Sequence, residues 1–489
     1  MQQTLFDFEQ KTLDDVINPD TYKGIYSFHK YWGKKPLESI NYFIQQYTTE
    51  SDIIIDPFLG SGFIVHEGLR MNRRVIGIDL NPFSIEHTQF LLDLPSPKEY
   101  ISAIKNIEAS IKEKTYSSYM LENNTIASHY LWEGDSIKQI WSKQENKRTR
   151  IEIEPTDFDR NLFNSYRNYN VRNIRDAHFF TNSRINSYTT MTLSDIFTDR
   201  ALRNIDLIID EIKKYSGALQ RALYLTLTSS SGQMSSMVFA ITNRGKTQNK
   251  KSEKIEVGSW VIGFWRPELH FEINVWNCFE SRAKKLYNAL QNTSREKYKI
   301  HSNLSQLFHS TAGCYLANNN CLDELNTIPD NSIKLVCTDP PHSDRIPYLE
   351  LSEIWNSILN KNVSFEKEII VSNAKERNKK KDNYINDMEK FIGEVNRILK
   401  TDGIFLLYFN ARDKESWKFM KIIEKASDLE FCGAFPLEYS ATSVVQDNRK
   451  GGMKNDYILL MKHKKSKVLN ESEFSFIPGW IEKLTEITL

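Results

Sequence analysis

The sequence lacks several features that would place it quickly. No apolar run reaches the roughly eighteen residues that a membrane-spanning helix needs, so a membrane protein of that kind is not expected. The opening stretch "MQQTLFDFEQ" has neither the basic nor the apolar region of a secretory signal, and a cytoplasmic location is expected. The five cysteines (Cys278, Cys314, Cys321, Cys337 and Cys432) stand apart, with no close pairs of metal-ligand spacing. That argues against a zinc site and a disulfide framework, and for free thiols in a reducing compartment. Charge of one sign is lacking too: 64 Lys+Arg face 63 Asp+Glu. A nucleic-acid surface would therefore have to be a local basic patch, offset by acidic surface elsewhere. There is no internal repeat and no long low-complexity tract.

What is present is a chain of 489 residues, 40% hydrophobic, enough for two or three domains with a substantial core. Two segments read as α/β structure. In "SDIIIDPFLGSGFIVHEGLRMNRRVIGIDLNP" (51–82), the buried run Ile53-Ile54-Ile55 leads into a glycine-containing turn. A helix with apolar positions Ile64, Val65, Leu69 and Met71 follows, and a second strand, Val75 to Ile78, ends at Asp79. Strand, turn, helix and strand within about thirty residues make a βαβ unit. The second segment, about 312–463, predicts strands at 333–338, 403–409 and 456–461 and helices near 349–360, 384–400 and 414–427. Between the two lie residues of different character. Residues 143–186 are basic with interleaved aromatics, 195–229 predict a pair of helices, and "VIGFWRPELHFEINVWNCFESR" is dense in aromatics suited to packing. The charged run "KERNKKKDNY" (375–384) predicts a surface loop, and "EGDS" (133–136) another loop. The simplest organisation is one doubly wound domain interrupted by a large insertion.

Two strand ends carry chemistry. "DPFLGSG" (56–62) places Gly60 and Gly62 between a strand and a helix. Glycine there allows positive φ and close approach of a ligand, and the helix N-terminus offers N–H groups. Asp79, ending the next strand, could accept hydrogen bonds from the two hydroxyls of a ribose. The turn is neither the G-x-G-x-x-G fingerprint of dinucleotide binders nor a P-loop; read alone, it is also compatible with a plain tight turn. "TDPPH" (338–342) ends a buried strand with an acid, two prolines and a histidine. The lone pair of an exocyclic amino group on a nucleobase is delocalised into the ring. A carboxylate and a rigidly held carbonyl that both accept its N–H groups would draw the nitrogen towards tetrahedral geometry. A planar side chain next in line would stack on a base flipped out of its helix. An Asp-Pro turn that merely ends a strand is the plain alternative.

Taken together, these segments resemble the S-adenosylmethionine-dependent DNA amino-methyltransferases, the enzymes of N-6-adenine and N-4-cytosine methylation. Asp56-Pro57-Phe58 with Gly60 and Gly62 is similar to their cofactor motif, "GIDLNP" (77–82) to the strand end whose acid binds the ribose, and "TDPPH" to their Asp-Pro-Pro-aromatic catalytic motif. "YSFHKYWGKKPLESINYFI" (26–44) resembles the segment that folds over the methionine end of the cofactor, and 318–341 the lead-in to the catalytic strand. Residues 443–461 resemble the last hairpin of the catalytic domain. Two positions depart from the pattern: His342 stands where the aromatic is expected, and Asn320 where an acid commonly lies near the cofactor adenine.

The resemblance implies a Rossmann-like methyltransferase domain of the α/β class interrupted by a large inserted recognition region. Residues 19–115 and 306–466 form its two parts, 116–305 the insertion, and 1–18 and 467–489 the tails. It implies S-adenosyl-L-methionine as cofactor and no metal. Asp339, Pro340, Pro341 and His342 become the catalytic set, with His29, Lys30, Asp56, Pro57, Phe58, Gly60, Gly62, Asp79 and Asn320 as cofactor contacts. Double-stranded DNA is the implied partner, read by Arg148, Arg150, Arg167, Arg172, Arg175 and Tyr348, whose residue types suit phosphate and base-edge contacts. Basic loops with tyrosines are equally common on any protein surface, and Glu350 and Glu353 fit a solvated helix face. Adenine is favoured over cytosine because Asp-Pro-Pro resembles the adenine-modifying variants. A restriction nuclease or other defence partner is the implied companion, and "QQTLF" (2–6) resembles a sliding-clamp-binding peptide as well as an ordinary tail. An RNA guanine amino-methyltransferase and a SAM- or DNA-binding protein without catalysis remain as rival readings.

Overall fold

The structure, a computed structural model, describes residues 20–143, 150–242, 255–342, 346–409, 427–437 and 456–467. The arginine at 148, the tail peptide 2–6, the helix expected near 414–427 and most of the 443–461 hairpin loop lie outside the described residues.

The main sheet is built from runs of branched apolar residues. Strands β1 (Ile53–Asp56), β2 (Arg74–Ile78), β11 (Ile333–Thr338) and β12 (Leu399–Phe409) form its centre. β9 (Ile300–His301) and β10 (Cys314–Ala317) extend it on one side, β14 (Asp456–His463) and β13 (Leu429–Leu437) on the other. The order is β13-β14-β12-β11-β1-β2-β10-β9; β14 runs antiparallel to β12 and β13, while the pairs from β12 to β9 are parallel. A parallel sheet is covered on both faces, and its residues divide accordingly. Ile53, Ile55, Ile76 and Val336 belong to one core; Ile54, Val75 and Leu335 belong to the other.

Helices flank this sheet. Among them α1 (Leu37–Tyr47) and α2 (Phe63–Arg70) pack together, and α3 (Pro82–Leu92) starts with Asn81 capping Phe83 N–H and proline at its first position. α4 (Pro97–Ser117) opens on a Ser96/Glu99 capping box.

The segment between β2 and β10 builds a second, antiparallel sheet in the order β5-β4-β3-β8-β6-β7. Its strands are β3 (Ala127–Glu133), β4 (Ser136–Lys143), β5 (Arg150–Ile153), β6 (Val238–Ile241), β7 (Glu256–Val257) and β8 (Leu269–Ile273). "EGDS" is the tight turn joining β3 to β4. The expected helix pair is α5 (Asp199–Ile212) and α6 (Gly217–Met234), followed by α7 (Val275–Gln291). α6 meets α3, and also α8 (Tyr348–Ile358), which follows the Asp339-Pro340-Pro341 turn; the second sheet is thereby joined to the first by continuous packing. A buried ion pair, Arg200 to Glu272 at 2.8 Å, ties α5 to β8.

One sequence expectation fails here and a second fails in part, for one reason; in the expected surface loop Lys375, Glu376, Asn378 and Lys380 are exposed. Glu350 and Glu353 are buried, not on a solvated face, and Arg377 in the expected surface loop is 1% exposed at its side chain. Arg377 bridges Glu350 at 2.8 Å and Glu368 at 2.6 Å, and Arg175 meets Glu353 at 2.9 Å. Charges are buried when they are paired, and these partners are remote in sequence. Among the described residues no helix is long and apolar enough to cross a membrane.

Candidate active site

Strand order fixes the location of the site. β2 and β10 lie on one side of β1, and β11 and β12 on the other, so the sheet has a topological switch point between β1 and β11. In such sheets ligands bind in the crevice beyond the strand ends at that point. The two motifs are therefore neighbours, although they are far apart in sequence. Thr338 Oγ1 donates to Asp56 Oδ1 at 2.7 Å across 282 residues, and Phe58 N–H is 3.2 Å from the same hydroxyl. Asp56 is buried, and burial pushes its carboxyl up to about 7 against the opposing hydrogen bonds from Thr338 and Phe58.

The turn after β1 is shaped by its glycines. Gly62 caps α2 with φ +77°, and a Cβ there would sit 2.1 Å from Thr88 Oγ1. Gly60 has φ +52° and donates its N–H to Asp79 Oδ2 at 2.7 Å. The other oxygen of Asp79 accepts Asn81 N–H at 2.8 Å. Burial raises the Asp79 carboxyl to about 6, opposed by these backbone N–H bonds. Asp79 thus anchors the turn as well as facing the cleft.

A cleft of about 870 Å³, counting its open mouth, runs from Asp79 and Asn320 past the glycine turn to Asp339. Asp56, Pro57, Phe58, Gly60, Asp79 and Asn320 all border it; Gly62 shapes the turn through its contact with Thr88. Asn320 serves mainly as a cap, accepting Leu322 N–H and donating to the Lys367 carbonyl at 2.6 Å.

At the other end, both oxygens of Asp339 are approached. Lys35 Nζ donates to Oδ2 at 2.5 Å and to the Gly33 carbonyl at 3.1 Å. His342 Nε2 lies 3.0 Å from Oδ1, at ion-pair distance but off the line of a straight hydrogen bond. The Pro341 carbonyl accepts the Tyr384 hydroxyl at 2.8 Å, which fixes the second proline, and Pro340 is buried. Tyr348, the first residue of α8, borders the cleft beside Asp339, its ring near-parallel to that of Tyr31.

His29 and Lys30 are placed elsewhere than expected. His29 is 1% exposed, with Nε2 3.0 Å from Thr228 Oγ1 on α6 and its ring edge-on to Trp355; burial drives its imidazole well below the usual range. Lys30 turns towards the Val261 carbonyl and stands 4.4 Å from the Trp260 ring. Both fasten the N-terminal segment to the second sheet's side of the molecule. Lys34, Lys35 and Lys367 border the cleft, the first two from the N-terminal segment. Lys34 donates to the carbonyls of Tyr26 at 2.8 Å and His29 at 2.6 Å, and burial lowers its ammonium to about 7. A signal for Lys34 and Lys35 exists in the sequence. They immediately precede Pro36 and α1, and cations are disfavoured at a helix N-terminus unless they find acceptors elsewhere.

Most of the arginines expected to meet DNA have internal partners. Arg150 lies 3.9 Å from the Trp141 ring and pairs with Glu152. Arg172 reaches Asp210 at 2.9 Å, and Arg175 is held by Glu353 and the Lys361 carbonyl. Arg167 is exposed.

The fold and cleft define a Rossmann-like domain of the SAM-dependent methyltransferase type. Residues 9–90 match a family model described as DNA methylase. Type II methyltransferase M.MjaII of Methanocaldococcus jannaschii is 25% identical over 160 residues, 32% of this chain and 29% of that protein. Type II methyltransferase M.MvaI of Kocuria varians is 30% identical over 122 residues, 23% of this chain and 27% of that protein. The alignments span less than a third of either relative's length. Over these stretches the chain is similar to the DNA amino-methyltransferases, a family that uses S-adenosyl-L-methionine as methyl donor. The residues present fit that cofactor: two turn glycines at positive φ, a buried carboxylate at the next strand end, and a buried lysine with acceptor partners, all bordering one cleft.

Proposed function

We propose that this chain methylates an exocyclic amino group in DNA, by preference N-6 of adenine, on a base rotated out of the duplex. The observation that carries the reading is the position of Asp339: it ends the strand next to the cofactor turn and shares one cleft with Asp79. The cofactor, when bound, supplies an electrophilic methyl group on a sulfonium. Asp79 would accept the ribose hydroxyls, and the Gly60–Gly62 turn would let the backbone approach the nucleoside closely. Lys34, in place of the expected His29 and Lys30, is suited to the carboxylate at the methionine end. Asp339 and the Pro340 carbonyl would accept the two amino hydrogens and leave the nitrogen lone pair directed away from the ring plane. To do so, the amino group must share or displace the Lys35 ammonium on Oδ2.

The preference for adenine rests on the resemblance of Asp-Pro-Pro to adenine-modifying variants, and a role in restriction-modification or another defence system on the names of the relatives. Recognition by the region between β2 and β10 is supported by the packing of its α6 against α8, whose first residue borders the cleft, and by exposed Arg167, Tyr188 and Trp265. The experiment is incubation of the chain with methyl-labelled S-adenosylmethionine and mixed genomic DNA, followed by nucleoside analysis. Label in N-6-methyladenine is expected. Asp339→Ala should abolish transfer and keep cofactor binding; transfer that survives this substitution would overturn the assignment of Asp339. Label in N-4-methylcytosine instead would overturn the base preference alone.

A further inference from the structure

We infer that His342 serves the Asp339 carboxylate and not the base, and that Tyr348 supplies the aromatic face that the base meets. The inference rests on the amino-methylation reading above and assigns its substrate-side residues.

A ring that stacks on a base must present a face to the cavity that receives it. The His342 side chain is only 6% exposed, and its ring meets Phe409 edge to face, with centroids 5.3 Å apart and planes at 77°. Asp339, Pro341 and Tyr348 border the cleft, whereas the buried His342 is not among the residues that line it. Its Nε2 lies 3.0 Å from Asp339 Oδ1, while Lys35 holds Oδ2 at 2.5 Å. The carboxylate is thus bracketed, with one nitrogen on each oxygen. A preorganised carboxylate needs such supports, because every lost degree of freedom in the acceptor is one that the reacting amino group need not impose. His342 is a positioning residue in this arrangement.

Tyr348 is half-buried and borders the same cleft. Its ring lies within 18° of parallel to Tyr31, with centroids 6.0 Å apart. Gly33 links it to the reacting carboxylate. A Cβ built on Gly33 would stand 2.9 Å from the Tyr348 hydroxyl and 3.8 Å from Asp339 Oδ2. The phenol tip therefore packs directly over the Gly33 backbone on the side of Asp339 Oδ2, an approach that any Cβ at this position, with its φ of +74°, would block.

The test uses the full-length chain, labelled S-adenosylmethionine and mixed genomic DNA, with cofactor affinity measured by calorimetry for each variant. His342→Asn keeps a donor but not the ring, and His342→Phe keeps a ring but not the donor. His342→Asn should stay within about 10-fold of wild-type kcat, and His342→Phe should lose about 10- to 150-fold in kcat with little change in KM for DNA, the effect of leaving one oxygen of the carboxylate without its polar neighbour. Tyr348→Leu should raise KM for DNA by about 5- to 150-fold, the effect of one base–aromatic stack, while Tyr348→Phe stays near wild type. All four should bind cofactor as wild type does. His342→Phe at or above wild-type activity with His342→Asn inactive, or an unchanged KM in Tyr348→Leu, would overturn the inference. Absence of label transfer by the wild-type chain would instead refute the methylation reading itself.

Discussion

Thr338→Val removes one hydroxyl, nearly isosterically, from the contact that joins the two halves of the site. Thr338 Oγ1 donates to Asp56 Oδ1 at 2.7 Å, and both residues are buried. The size of the effect depends on whether Asp56 is ionised. Its carboxyl is raised to about 7 in the folded protein, chiefly by burial, while in the unfolded chain it ionises near pH 4. Between those values the folded state holds a proton that the unfolded state has lost, so this group's contribution to stability falls as pH rises from about 4 to about 7. The Thr338 hydroxyl limits that fall by solvating the ionised form. Without it, the variant should lose about 1 kcal/mol near pH 5.5, where a neutral hydrogen bond is broken. Near pH 8.5 it should lose about 1.5–3 kcal/mol, where the bond is to a buried carboxylate. Urea denaturation of the two proteins at both pH values measures the difference directly. Equal losses at the two pH values, or a larger loss in acid, would refute the reasoning, because the hydroxyl would then have no preference for the ionised carboxyl.

Three other expectations follow from contacts already described. Gly62→Ala forces a Cβ to within 2.1 Å of Thr88 Oγ1 at a φ of +77°; a loss of about 2–4 kcal/mol in stability and weaker cofactor binding should appear in denaturation and calorimetry. Lys34→Met should weaken S-adenosylmethionine binding by about 10- to 150-fold by calorimetry. With the wild-type ammonium lowered to about 7, affinity should also decline as pH rises through neutrality, a dependence the variant should lack. Arg200→Leu strands Glu272, which is 1% exposed, and should cost about 3–5 kcal/mol; Arg200→Met with Glu272→Met should recover much of that loss in the same denaturation assay.

The parts of the fold that could be read in the sequence were those encoded locally. Ile53 to Ile55 and Leu335 to Cys337 are buried on both faces, so their strands show as short apolar runs, and the residues after them mark the site. α5 and α6 were legible for the same reason, as long segments with helical apolar spacing. What local pattern could not supply was pairing across distance. Glu350 and Arg377 each look solvated alone, and only their 2.8 Å contact makes them interior residues. His29 and Lys30 matched the segment expected over the cofactor, yet the chain turns so that Lys34 and Lys35 face the cleft, a choice made by the packing of His29 against Trp355 and Phe83. The arginines of the intervening region suited DNA by residue type, but type does not reveal that Arg172 and Arg175 already have acidic neighbours.

The adjacency of β1 and β11 also has a consequence in time. During synthesis β1 gains its β2 neighbour early, but its other edge has no partner until residues 333–338 have emerged, after the whole second sheet has been made. For that interval the cofactor turn stands beside an open strand edge, which invites wrong pairing. A chain interrupted anywhere in between would carry the glycine turn and Asp79 but no Asp339, and would leave that edge open. Such fragments should therefore be short-lived and insoluble, and the protein's yield should depend on how quickly its latter third is completed.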